Sequence, residues 1–268
     1  MLTRYAATAL SLAVFASAAQ AGETYDCVIE PYLVVRIGSP VEGVISEISV
    51  ERGAPVKVGQ ILARIESSVQ IQTLRMAEAN AASAVEVDIA KSRVDYLKNE
   101  VTRLTTLVTK KWTARTILET AESDLEQADL QFLGAKQRHN LSILDRDRAR
   151  AQLDRRIIRS PIDGIILRRL IGLGEYVHSQ AQIAQLAVID PLYVDVFLPS
   201  ELYNSISVGQ TVTVRPAPPI GGVYEAKITV IDQVFDAASD TFGVRMELPN
   251  VGNRLPAGVD CKLELNLS

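Results

Sequence analysis

The chain has 268 residues, 47% of them hydrophobic and 22% charged, with 15 Gly, 11 Pro and a formal net charge of −4. These values exclude a disordered or fibrous chain, and the mild acidic balance gives no reason to expect nucleic-acid binding. The length allows one large domain or a few small modules around a substantial core.

Residues 1–21 read as a secretory signal, with Arg4, an apolar run from Ala6 to Ala19, and Ala19-Gln20-Ala21 as a small-x-small cleavage site. A run of about 15 residues falls short of the ~20 that a spanning helix needs, which weighs against a membrane anchor. No Cys follows the cleavage site to take a lipid. The two cysteines, Cys27 and Cys261, lie near the two ends of the remaining chain in strand-like contexts. In an exported protein they are either bridged or two buried thiols. Neither belongs to a Cys-x-x-Cys redox pair.

Residues 24–37 alternate as a strand, interrupted by Pro31. The next stretch appears twice. Ser39-Pro40-Val41-Glu42-Gly43-Val44-Ile45 returns as Ser160-Pro161-Ile162-Asp163-Gly164-Ile165-Ile166, and the match runs on through Gly53/Gly174, Val56/Val177, Leu62/Ile183 and Ile65/Leu186 at a constant offset of 121. A fixed offset marks an internal duplication, here two copies of one small β unit. The expected structural turns fall at Gly43, Gly53, Gly164 and Gly174, where tightly turned short strands call for positive φ.

Between the copies the periodicity changes. Ser67 with Gln70 is a capping-box signature, and no Gly or Pro follows until Gly134. Val87, Ala90, Val94, Leu97, Val101, Leu104 and Val108 form a heptad seam. After a polar stretch, Thr116 with Glu119 reads as a second capping box, and Leu118, Ala121, Leu125, Ala128, Phe132 and Ala135 repeat the spacing, which weakens from His139 to Arg146. Two such helices joined by a short turn make an antiparallel coiled-coil hairpin. Arms of about 42 residues give a rod of roughly 60 Å.

Beyond Pro161 and the second copy, residues 188–268 carry five or six short alternating strands separated by turn clusters, the pattern of a small barrel. The expected fold class is therefore mainly β with a long α-helical hairpin. The expected domains are a signal peptide at 1–21, an N-terminal strand segment at 22–37, a split β unit at 38–66 and 157–187, the hairpin at 67–156 and a barrel at 188–268. Catalytic signals are lacking: His139 and His178 have no second ligand at metal spacing, and no phosphate loop, dinucleotide loop or nucleophile elbow is present. The reading is of a non-enzyme without cofactor or metal.

The split Ser-Pro-x-x-Gly units resemble the two halves of a lipoyl/biotinyl-carrier fold. Their separation by a helical hairpin, followed by a barrel, is similar to the periplasmic adaptor subunits (membrane fusion proteins, HlyD-like family) of tripartite efflux and secretion systems. Arg159 to Ile165, Phe235 to Thr241, Met246 to Asn250 and Leu255-Pro256-Ala257-Gly258 also look like that family. The resemblance implies a homo-oligomeric ring in the periplasm that joins an inner-membrane pump to an outer-membrane exit duct for efflux of small toxic compounds. It implies no attachment Lys, because the hairpin replaces the turn that carries it. The family meets its duct through Arg, Leu four residues on, and Ser seven further; this chain supplies Arg103 and Leu107, but position 114 is Ala, with Thr113 adjacent. Leu107 has the alternative role of closing the coiled coil, and Arg103 that of a flank charge. Trp112 reads as a packing plug at the hairpin end, with a docking knob as the alternative. With no spanning helix at the N-terminus and any membrane-proximal module short or missing, an RND-type pump is favoured over an ABC-type exporter. A structural coiled-coil protein of the envelope is the reading without transport.

Overall fold

The computed structural model describes residues 23–265, so the signal-like residues 1–21 lie outside it. The chain divides into two compact units, one of residues 34–187 and one formed by the residues up to Leu33 with those from Val188 onward.

In the first unit the two copies of the repeat complete one another. The first copy contributes β2 (Gly43–Ile48), β3 (Pro55–Val56) and β4 (Ile61–Ile65). The second contributes β5 (Ile157–Arg159), β6 (Gly164–Arg169), β7 (Tyr176–Val177) and the start of β8 (Gln182–Pro199). Three pairings cross between copies: β2 with β7, β3 with β6 and β4 with β5. The loops obey the same exchange. The N–H of Gly53 donates to the carbonyl of Ile166 at 2.8 Å, and its counterpart Gly174 donates to Ile45 at 2.9 Å. Gly59 to Ser160 (2.8 Å) is mirrored by Gln180 to Ser39 (3.0 Å), and Ser160 to Gln60 (2.9 Å) by Ser39 to Ala181 (2.9 Å).

Ser39 and Ser160 are both buried. Each hydroxyl donates to the carbonyl two residues on, of Val41 and Ile162 respectively, a local bond that holds the turn into the following strand. Ile45, Leu62, Ile65, Ile166 and Leu186 fill the space between the copies, each such side chain contributing roughly 1.5–3 kcal/mol by its burial. Gly43 (φ 149°) leaves room that a Cβ would not, since one would stand 2.6 Å from Cγ2 of Ile65. Gly53 and Gly174 hold turns at φ 83° and 78°. Gly164 does not: the turn lies at 160–163, and Gly164 takes the first strand position of β6 outside the positive-φ set.

The hairpin departs from the expected two continuous arms. The first arm is two helices, α1 (Ser68–Ala82) and α2 (Val85–Thr109), while α3 (Arg115–Asp154) runs unbroken for 40 residues, about 60 Å. The cause is a change of heptad phase. On α1 the inward positions are Gln70, Leu74, Ala77 and Ala81; the same repeat carried forward would turn Asp88, Lys91, Asp95 and Lys98 toward α3. Burying four charges is far costlier than interrupting one helix. The chain therefore breaks at Ser83–Ala84, and the seam resumes one residue early, on Val87, Ala90, Val94 and Leu97. On α3 the seam is poorer from His139 to Arg146, as the sequence suggested: these positions are half-buried, although the register is kept. Its 3,4 spacing continues through His139, Ser142 and Arg146 to Ala149 and Leu153, with Ala121, Ala128, Ala135 and Ala149 buried. The ion pairs Glu86–Arg138 (3.1 Å) and Glu78–Arg150 (3.0 Å) link the arms on either side of the break.

Neither capping box forms. Ser67 makes no side-chain cap; the Glu66 carboxylate instead accepts the Ser68 N–H at 2.7 Å. α3 starts at Arg115, so Thr116 lies inside the first turn, too late to cap, and Glu119 pairs with Arg115 at 3.2 Å.

The second unit is a closed six-stranded barrel in the order β1-β12-β9-β10-β11-β8, with β1 returning to β8. Its other strands are β9 (Thr211–Pro216), β10 (Tyr224–Ile231), β11 (Thr241–Leu248) and β12 (Val259–Glu264), with a 3-10 turn at Ser200–Ser205. The sixth strand is β1 (Thr24–Gly38), which is thus part of the barrel and not a segment apart. Pro31 does not interrupt it. The ladder with β12 ends at Ile29, so the missing N–H of Pro31 deprives β12 of nothing. Cys27 lies directly opposite Cys261 in that ladder, and the two form a disulfide with a Cα–Cα distance of 4.8 Å. Asn250 is a buried tie-point: its Nδ2 donates to the carbonyls of Ile189 (2.8 Å) and Leu255 (2.9 Å), and its Oδ1 accepts the Leu255 N–H (2.8 Å).

Two outcomes are expected. Gln180 occupies φ 71°, whereas its counterpart in the first copy is Gly59 at φ 79°. Left-handed backbone disfavours a side chain by about 1–2 kcal/mol, offset in part by the entropy of Gly. Gln180→Gly therefore raises the urea midpoint, by about 0.5–1 kcal/mol of stability, and Gly59→Gln lowers it. The second outcome concerns Glu66, whose hydrogen bonds from Ser68 hold its carboxyl below the ordinary value. A depressed folded value contributes stability above the unfolded carboxylate range that is lost as pH falls through the folded value. The stability gap between wild type and Glu66→Gln, measured by denaturation, is open near pH 7 and closes as pH falls through and below the ordinary carboxylate range.

Candidate functional site: the hairpin tip

The tip is made by the end of α2, the loop 110–114 and the start of α3. Helix α2 ends in a Schellman arrangement: Trp112 N–H donates to the carbonyl of Leu107 and Lys111 N–H to that of Val108, both at 2.9 Å. Lys111 sits at φ 57°, the left-handed position that Gly usually fills. That reversal directs the chain away from the seam. Trp112 is accordingly 72% exposed, with Nζ of Lys110 4.9 Å from its ring centroid. The expected plug is therefore corrected: the seam closes on buried Leu104 and half-buried Leu107 and Val108, and Trp112 faces solvent.

Arg103 and Leu107 lie one helical turn apart on the same face of α2. Arg103 is exposed and its Nη2 is held by both carboxylate oxygens of Glu100 at 2.6 Å, a hydrogen bond that pushes the guanidinium above its ordinary value and keeps it charged. Lys110 and Lys111 have no carboxylate partner among the described residues. Thr113 is half-buried in the loop and Ala114 is exposed.

Position 114 has a role that sequence spacing did not disclose: it is the N-cap of α3, at φ −75° and ψ 144°, and Ala leaves that cap without a side-chain bond. A run of threonines also leads up to the tip. The hydroxyls of Thr102, Thr105, Thr106 and Thr109 each bond back to the carbonyl four residues earlier. These hydroxyls are spent on the helix itself. The signal was their density in the last two turns of α2, which a search for charged or aromatic residues ignores. Among the described residues no group of three or more His, Cys, Asp or Glu is placed to hold a metal ion.

Comparison with known proteins matches two families along the chain. The family described as CzcB-like, barrel-sandwich hybrid domain covers residues 33–188, and that described as CusB-like, beta-barrel domain covers residues 191–268. A Haemophilus influenzae protein described as uncharacterized is 22% identical over 226 residues, 84% of this chain and 52% of its own, so the chain spans about half the length of that relative. The crystal structure of MacA from Actinobacillus actinomycetemcomitans superposes with a TM-score of 0.75 at 25% identity, covering 91% of this chain and 78% of that one. The membrane fusion protein Spr0693 from Streptococcus pneumoniae R6 shares the fold at a TM-score of 0.63 and 16% identity, over 92% of this chain and 99% of that one.

Ala114→Ser supplies the missing cap and is expected to stabilise the start of α3 by about 1 kcal/mol. The check is slowed amide exchange at residues 115–118 relative to wild type.

Proposed function

This chain belongs to the CzcB-like barrel-sandwich hybrid family, the membrane fusion proteins that serve efflux systems as adaptors, and from that premise we propose that it links an inner-membrane pump to an outer-membrane exit duct, with the hairpin tip as the surface that meets the duct. One observation carries this reading: the hairpin is anchored at its base by the interlocked β unit, while its far end presents Trp112, Lys110 and Lys111 to solvent. An exposed Trp is the residue type of an interface anchor, and the lysines beside it add positive charge at the rim. The substrates are small toxic compounds, and the protein itself supplies reach and not a reaction. The Cys27–Cys261 disulfide suits an oxidising compartment and supports placement in the periplasm after export by residues 1–21. The reading of that segment as a cleaved signal favours an RND-type pump as the inner-membrane partner.

Assembly into a ring is supported by the outer faces of the arms. Val85, Ile89 and Tyr96 on α2, and Leu130, Leu133 and Leu141 on α3, are all exposed. Their heights correspond: Tyr96 lies ten residues beyond Glu86 and Leu130 eight before Arg138, the two residues of one cross-arm ion pair. Apolar stripes at similar height on the two arms suit head-to-tail packing between copies, the type of contact from which a ring is built where the rotation between copies closes.

A photoreactive residue at 112 is expected to capture an outer-membrane duct protein in cells, and Arg103→Glu combined with Leu107→Ala to reduce both that capture and resistance to the exported compound. Unchanged capture and resistance would remove the tip from the duct interface. The proteins that co-purify from the inner membrane identify the pump type.

A further inference from the structure

The pairings that cross between the two β copies are reciprocal: Pro55 and Val56 face Ile165 and Gly164, and their counterparts Tyr176 and Val177 face Val44 and Gly43. The copies are therefore related by an internal two-fold axis, and each surface place in the unit has a counterpart across that axis. One such place is a recess of about 520 Å³ lined by Glu51 and Arg52 of the first copy and Arg168, Arg169 and Leu170 of the second. At the constant offset of 121 its counterpart consists of Gly172, Leu173, Glu47, Ile48 and Ser49. The backbone is alike at both, since Arg168 and Arg169 end β6 as Glu47 and Ile48 end β2, and Gly53 and Gly174 hold equivalent turns. The side chains differ.

In the recess three guanidinium groups meet one carboxylate, an excess of two positive charges. Among the described residues none of Arg52, Arg168 and Arg169 has a carboxylate within ion-pair distance, although Arg64, Arg138 and Arg150 of the same unit each have one. Like charges gathered without partners repel. The fold does not call for them, because the second copy builds the same turn with Gly172 and Leu173 in place of Glu51 and Arg52. The counterpart has the opposite character. Glu175 is held there, its Oε2 accepting the Gly172 N–H at 2.8 Å, and Glu47 pairs with Arg64 at 3.1 Å, which leaves an excess of one negative charge. Each place also exposes a leucine, Leu170 at 45% and Leu173 at 71%.

An exposed leucine among arginines and another among carboxylates are complementary in apolar area and in charge. Had the duplication stayed exact, both places would carry the same charge and two copies of the chain could not bring them together. Divergence removes that obstacle and gives the unit two unlike faces, as a head-to-tail contact requires. We propose that the recess of Arg52, Arg168 and Arg169 on one copy of the chain receives the Leu173 face of the next. Leu170 packs on Leu173 at the centre of this contact, and the guanidinium groups of the recess meet Glu47 and Glu175. The inference rests on the reading that copies assemble into a ring, to which it adds a contact between β units besides that of the arms.

Photocross-linking of the full chain in cells tests it, with a photoreactive residue in place of Leu173 or, as the reference for the arms, of Leu133. From 173 a covalent dimer is expected whose cross-linked peptide maps to 51–52 or 168–170 of the other copy. Polarity is read by co-expressing two differently tagged copies. Arg168→Glu with Arg169→Glu in the copy that lacks the photoreactive residue is expected to lower the dimer yield by about tenfold or more. The same two changes in the copy that carries it are expected to leave capture of a wild-type neighbour unchanged. A dimer from 133 with none from 173 overturns the proposal and leaves the ring to the arms; a dimer from neither position overturns the ring as well. Cross-links from 173 to 47–49 or 172–173 of the other copy, a product carrying lipid in place of a second chain, or a yield indifferent to the charge reversal also overturn the proposal. A thermal midpoint equal to that of the wild type confirms that each variant is folded.

Discussion

Neither half of the split β unit can satisfy its own backbone. The N–H groups at the turns of one copy find their acceptors in the other, in matched pairs such as buried Ser39 to Ala181 and buried Ser160 to Gln60. An unpaired buried N–H or C=O is costly enough that the halves have no folded existence apart. The rest of the unit follows from this requirement. Whatever lies between residues 66 and 157 has to return the chain to its starting point, and an antiparallel hairpin does so whatever its length. The base is latched accordingly: Ile65 donates its N–H to the carbonyl of Arg156 at 2.9 Å, Arg156 donates through Nη1 to the carbonyl of Glu66 at 2.7 Å, and Arg155 through Nη2 to that of Pro40 at 2.9 Å.

The hairpin shows a second requirement overriding local preference. Residues 77–90 contain no Gly or Pro and nothing in their propensities stops a helix, yet the helix stops. The reason lies downstream, in the alternating Asp88, Lys91, Asp95 and Lys98 that the old phase would have buried. Small side chains on the partner make the correction possible. Ala121, Ala128, Ala135 and Ala149 let the arms approach closely along most of α3, and the closest packing lapses only where His139, Ser142 and Arg146 replace them and their apolar neighbours.

Features that repeat were legible in the sequence, and features that depend on distant partners were not. The offset between Ser39 and Ser160, and the seam from Val87 to Val108, are periodic and local, so the mainly β fold with its inserted hairpin could be read directly. Strand β1 could be read as a strand but not as a barrel stave, because its partner β12 lies over 230 residues away in the chain. The first helix start was placed correctly, at Ser67, though its side chain makes no cap; the second falls two residues earlier than expected, at Ala114, which moves Thr116 from a capping position to an internal one. Trp112 near a turn suggested burial, since large aromatics usually bury. What the spacing could not convey was Lys111 adopting a left-handed backbone that sends its neighbour outward. The same limit hid Ala114 as the N-cap of α3: residue type suggested only a lost hydroxyl, and only the backbone angles assign it a structural position.

The ladder that sets Cys27 against Cys261 orders events during biosynthesis. The strand that is synthesised first is paired by one of the last, so β1 has to wait, that edge open, while the whole hairpin and four other barrel strands are made. A chain truncated anywhere before residue 261 leaves that edge unpaired and its thiol unbonded, a form that a protease or chaperone can distinguish from the finished molecule. The disulfide thereby serves as a stamp of completion: it joins the chain only after the last strand has arrived and the barrel has closed.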